Sequence, residues 1–193
     1  MTDTATPEPE RRSKDGRTWP MGTAADVAWI ARGTTLDRTI TSGIPSVFVA
    51  YATVVVPDEV ADRVAQDRAL LALLRAHTAD QPWWLGFLDT GAEDVVFPDV
   101  AMVTLYAGWR YVLVAAGPEQ AATLKDPSSW RGGLPDVIFP ADRSWLVSTL
   151  WDDDWRCVGG PAPLINALLD EHSLQTRAVA LGEDATPAGH TSF

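Results

Sequence analysis

Apolar and polar positions fall in short blocks along this chain, and the blocks switch between a helical and a strand-like period. Residues 23–32 (TAADVAWIAR) set Val27 and Ile30 on one narrow face. That spacing predicts a short helix, with Thr23 and Asp26 as its capping box. Pro45 opens an almost unbroken apolar run over residues 47–56 that Pro57 closes. Such a run predicts a central strand covered on both faces. Residues 59–77 then place Val60, Val64, Leu71 and Leu74 on one side and Asp62, Arg63, Asp67, Arg68 and Arg75 largely on the other. This is an amphipathic helix with Asp58 as its N-cap. Strands follow at 83–89 and 94–98, and a hairpin joins 103–106 to 109–112 through a turn at Ala107–Gly108.

Residues 136–170 carry the strongest pattern. DVIFP at 136–140 reads as a buried strand that exits at Pro140, which has no N–H for a ladder. Residues 145–151 (WLVSTLW) and 155–158 (WRCV) are rich in β-branched and aromatic residues, and three aspartates divide them. Aspartate favours turns, so a hairpin with Asp152, Asp153 and Asp154 at its tip is expected. Gly159–Gly160 ends the second strand. Pro161 and Pro163 suit the first turn of a helix carrying Leu164, Ile165, Leu168 and Leu169. Residues 94–125 repeat the order: DVVFP against DVIFP, WRYV against WRCV, and Gly117–Pro118 against Gly160–Pro161. Landmarks recurring at this interval predict a duplicated strand–hairpin–helix unit.

Together these elements predict an α+β fold, a mostly antiparallel sheet with helices on one face. Residues 1–18 have no apolar period and are expected as a disordered arm, residues 19–181 as one domain, and residues 182–193 as a flexible tail.

Composition narrows the function. The 193 residues are 46% hydrophobic, enough for a core without covalent staples. No apolar run reaches the roughly 18 residues a membrane span needs. No signal peptide is visible. The one cysteine, Cys157, excludes an intrachain disulfide and fits a reducing cytoplasm. The net charge is -11, and residues 80–171 hold 14 Asp/Glu against 5 Lys/Arg. That field repels nucleic acid and anionic membranes and attracts a basic partner.

No P-loop, GxGxxG, GxSxG, HExxH or CxxC motif is present, so no catalytic set, cofactor or metal is assigned. His77 and His172 close helices, where a cation suits the dipole, and His190 lies in the tail. Three adjacent carboxylates at a hairpin tip need compensation, from Arg143, Arg156, a hard cation or a basic partner, and no EF-hand spacing supports the cation. Trp151 and Trp155 flank the tip and either pack inward or form an interface hot spot with Asp152, Asp153 and Asp154. A second candidate is an aromatic pocket lined by Trp83, Trp84, Trp109 and Trp145, with Arg38 or Asp152 as its polar group.

The segments DRSWLVSTLWDDDWRCVGG, GIPSVFVAYATVVVP and PWWLGFLDTG resemble an uncharacterised bacterial family over roughly residues 35–180. The SWLVS strand, acidic hairpin and GG-helix also resemble the C-terminal part of SMI1/KNR4 (SUKH)-type immunity proteins. That resemblance implies an acidic, cytoplasmic, mixed α/β protein that neutralises a toxin by binding it. The expectation is therefore a protein-binding chain that meets a basic partner through residues 151–155. The alternative is a small-molecule enzyme or ligand-binding protein using the tryptophan pocket.

Overall fold

The computed structural model describes residues 11–14, 17–90, 97, 100–125, 133–151 and 153–191. In chain order the elements are β1 (Arg11–Lys14), β2 (Arg17–Pro20), α1 (Ala24–Gly33), β3 (Ala50–Val55), α2 (Val60–Ala76), β4 (Trp83–Leu88), β5 (Val103–Leu105) and β6 (Trp109–Ala116). They continue with α3 (Pro118–Ala121), β7 (Val137–Pro140), β8 (Leu146–Ser148), β9 (Trp155–Gly160), α4 (Ala162–Asp170) and β10 (Thr176–Ala178). Eight strands form one sheet in the order β10-β3-β9-β8-β7-β4-β6-β5. Every neighbouring pair in it is antiparallel. The fold is α+β.

Side-chain alternation sorts the sheet into two apolar faces. On one, Ala52, Val54, Leu85, Ile138, Val147 and Val158 pack under Leu70 and Leu74 of α2 and Leu164 and Leu168 of α4. On the other, Tyr51, Leu113, Phe139, Leu146 and Cys157 pack under Val27 and Ile30 of α1 and under Ile40 and Ile44. The helices were expected on one face, but α1 covers the second. Val137, Phe139, Leu146 and Cys157 are apolar on that side too, and they need a cover.

Several boundaries also move. Residues 46–49 are not strand: Val49 is 83% exposed, and β3 begins at Ala50. β3 lies second from the sheet edge rather than at its centre. The capping box of α1 forms, with the Thr23 N–H and hydroxyl both donating to Asp26 Oδ2 at 2.8 and 2.9 Å. For α2 the N-cap is Glu59 rather than Asp58, without a side-chain cap. Arg63 instead donates to the carbonyls of Pro57 and Asp58.

The larger correction on α2 concerns its faces. Its buried stripe is Arg63, Gln66, Asp67, Leu70, Leu71 and Leu74, whereas Val60 is exposed. The polar half is satisfied inside. Arg156 of β9 donates to Asp67 Oδ1 at 2.6 Å and to Gln66 Oε1 at 3.3 Å, and Gln66 donates to the Val55 carbonyl at 2.7 Å. Arg156 therefore compensates a helix carboxylate, not the aspartates of the hairpin.

The hairpin expected over 145–158 forms as β8–β9, with Val147 opposite Val158 and Ser148 opposite Cys157. The other expected hairpin forms as β5–β6. Of the strand expected over 94–98, only Phe97 is described, and it is buried in the α2–α4 core. Residues 94–96 and 98 lie outside the described residues. Within the expected N-terminal arm, β1 and β2 pair antiparallel, and residues 1–10 lie outside the described residues.

Gly159 marks a tight point on α1's side of the sheet. A Cβ there would stand 2.4 Å from Ile44 Cγ2 and 2.5 Å from Phe48 Cδ2. Gly159→Ala is expected to cost about 1–3 kcal/mol of stability through overpacking, read by denaturant unfolding. An unchanged midpoint would mean that the 44–48 segment yields freely.

Candidate functional site

The connector between β8 and β9 forms one wall of a cleft of about 470 Å³, and the loop after α1 forms the other. The cleft is lined by Thr35, Leu36, Asp37, Arg38, Ser42, Tyr106, Ala107, Trp109, Leu150, Trp151 and Asp153.

The α1-side wall is set by Asp37. Its Oδ1 accepts from the Thr39 N–H at 2.8 Å and the Thr39 hydroxyl at 2.7 Å, and its Oδ2 accepts from the Thr35 hydroxyl at 2.7 Å. Hydroxyl donation from Thr39, then from Thr35, holds the Asp37 carboxyl below the usual carboxylate range. An aspartate bonded to the backbone two residues on is a turn device, and here it also fixes a negative charge at the cleft.

The floor comes from the β5–β6 turn. Tyr106, Ala107 and Gly108 all take positive φ, at 31, 40 and 92°. The Trp109 N–H closes the turn on the Tyr106 carbonyl at 2.9 Å. Positive φ in tyrosine and alanine costs backbone energy, so the surroundings must hold the turn in place. Tyr106 is held at its ring end. Its hydroxyl donates to the Gly43 carbonyl at 3.2 Å and accepts from the Ser148 hydroxyl at 2.8 Å. Burial pushes that phenol above its ordinary range. The strained turn sets Trp109 against Trp151 of the connector, with ring centroids 5.0 Å apart and planes tilted by 55°.

The connector wall is tied to the sheet at both ends. Thr149 N–H donates to the Asp136 carbonyl at 2.7 Å, and Val56 N–H donates to the Asp154 carbonyl at 2.7 Å. Residues 182–191, expected as a flexible tail, run across both walls. Ala185 is buried, and its N–H donates to the Arg38 carbonyl at 2.8 Å. The Arg177 guanidinium pairs with Glu183 and donates to the Asp184 carbonyl at 2.6 Å. Further on, His190 Nδ1 donates to Asp154 Oδ2 at 2.7 Å, and its ring meets Trp155 edge-on at 6.2 Å. Backbone bonds dock this segment, so its low hydrophobicity gave no warning.

The two candidate sites of the sequence are thus redistributed. Trp151, Asp153, Trp109 and Arg38 come together in one cleft. Asp154 is exposed on its rim side, against His190. Trp155 is 3% exposed in the α1-side core, so it offers no face to a partner. Asp152 lies outside the described residues. Trp83 and Trp145, expected to line a pocket, are core: their rings meet edge-to-face at 4.9 Å under α2, and Trp145 Nε1 donates to the Thr78 hydroxyl. Trp84 points to the opposite face and stacks on Phe139. Sequence reasoning missed Asp37 and Tyr106. The threonines spaced around Asp37 in TTLDRTIT were the available signal.

Among the described residues no group of three or more His, Cys, Asp or Glu is placed to hold a metal ion. Cys157 is buried, and desolvation together with the nearby Asp153 carboxylate raises its thiol well above the usual range, which makes it a poor nucleophile. His77 closes α2 as its C-cap, with Nδ1 donating to the Leu73 carbonyl at 2.9 Å. His172 follows α4 and donates to the Asp170 carbonyl at 2.8 Å. No helix among the described residues is long and apolar enough to cross a membrane.

The class defined here is an α+β protein with an eight-stranded antiparallel sheet and an aromatic, carboxylate-flanked cleft at the ends of its hairpins. No protein-family model, curated protein or solved structure matches the chain.

Proposed function

We propose that this is a binding protein that engages a basic protein partner, in the manner of an immunity-type neutralising protein, at the face formed by the β8–β9 connector and the cleft beside it. The observation that carries this reading is the convergence of Trp109, Trp151, Asp37 and Asp153 at one cleft of a strongly acidic chain. Aromatic side chains supply contact area at little entropic cost, and carboxylates supply steering toward a cationic surface. The tryptophan-pocket alternative loses ground because Trp83 and Trp145 are consumed by the core.

The test is capture from the native host's lysate with the wild-type chain beside a Trp151→Ala/Asp153→Asn variant, followed by affinity measurement on the identified protein. A basic protein that binds wild type and is weakened at least about tenfold by the variant, more strongly at low salt, supports the reading. Capture that is the same for both chains, or of acidic proteins alone, overturns it.

A further inference from the structure

Resting on the reading of the protein as a binder of a basic partner, we propose that the cleft receives one arginine side chain of that partner, stacked on the Trp109–Trp151 pair. The geometry limits how this is done. With centroids 5.0 Å apart and planes at 55°, the two indoles touch, so no group slots between them. They present a joined aromatic floor, and both rings are half-buried with surface left to cover. A planar guanidinium lies flat on such a floor and still directs its N–H groups sideways. The side walls supply acceptor charge on both sides: Asp37, fixed by its threonines, and Asp153 on the connector. The volume of about 470 Å³ suits a side chain with its flanking backbone rather than a whole helix.

Arg38 is the one cation on the lining among the described residues. Its guanidinium makes no hydrogen bond or ion pair among the described residues, and its charge acts on Asp184 of the docked tail, whose carboxyl it helps hold low after the bonds from Thr186. Among the described lining residues the carboxylates of Asp37 and Asp153 outnumber the one guanidinium of Arg38, which favours a cation over an anion there. The chain already uses the same pairing internally, where Arg143 sits 5.6 Å over the ring of Trp29. Lysine satisfies the charge but not the stacking, and neutral citrulline keeps the plane but not the charge.

The experiment titrates the protein with capped Gly-Arg-Gly, Gly-Lys-Gly and Gly-citrulline-Gly, following indole N–H resonances by NMR, beside Trp109→Leu and Asp153→Asn. A poly-arginine chain serves as a second probe. The expected result is saturable shifts of the Trp109 and Trp151 signals with the arginine peptide. Lysine should bind at least about threefold weaker, citrulline should not bind, and both variants should lose the response. Equal response to citrulline, or an arginine response that survives in both variants, overturns the proposal. If poly-arginine binds wild type and variants alike while the tripeptide does not bind, the arginine-in-cleft proposal fails and the basic-partner reading stands. If neither probe binds, both fail.

Discussion

Arg156→Met is expected to destabilise the protein by about 3–5 kcal/mol, the usual cost of leaving one member of a buried ion pair without its partner. Arg156 is 1% exposed and meets Asp67 at 2.6 Å beneath α2. The substitution leaves the Asp67 carboxylate in the core with the Gly133 N–H, at 3.3 Å, as its remaining donor among the described residues, and leaves Gln66 Oε1 without the guanidinium. The informative comparison is the double variant Arg156→Met/Asp67→Leu. Removing both charges should recover a good part of the loss, because desolvating two ions offsets most of their attraction. Recovery will be incomplete, since the Gly133 N–H and Gln66 Oε1 still lose partners. Urea unfolding of wild type, both single variants and the double variant measures the coupling. Additive losses would show that Arg156 and Asp67 act independently.

The second large effect is expected at Trp145. It is fully buried, meets Trp83 edge-to-face at 4.9 Å, and donates its indole N–H to Thr78 at 2.8 Å. Trp145→Ala should cost about 3–5 kcal/mol through lost apolar burial and the cavity left between β8 and α2. For a chain of this length that lowers the unfolding midpoint by roughly 6–20 °C. Trp109→Ala, at a half-buried cleft position, should unfold within a few degrees of wild type while losing partner binding. Differential scanning calorimetry of the pair separates a structural tryptophan from a binding one. Equal losses at the two sites would overturn that division.

Much of the fold was legible because strands in this chain are dense in Val, Leu and aromatic residues and are punctuated by proline. β4, β7, the β8–β9 hairpin and α4 follow from that punctuation. The buried face of α2 did not, because the polarity of Arg63, Gln66 and Asp67 sends them to solvent, although their spacing sets them on the stripe of Leu70, Leu71 and Leu74, unless a partner from a distant strand is known. Arg156 is that partner, and it lies 89 residues away from Asp67. The tryptophans failed for a related reason. Adjacent Trp83 and Trp84 must face opposite sides of a strand, but which side is filled depends on pairing with β6 and β7. The cleft was half legible: Trp151 and Asp153 from one candidate site and Trp109 and Arg38 from the other were named apart, and only the sheet order brings them together.

The docking of residues 182–191 gives the cleft a dependence on synthesis order. Its floor is the turn at 106–109, its walls are the loop at 35–42 and the β8–β9 connector, and the segment that holds both walls is made after all three. A ribosome-bound chain can therefore complete the sheet through β9 while the cleft still lacks its clasp. Proteolytic trimming of that clasp would take Ala185 out of the α1-side core together with the bonds to Arg38 and Asp154.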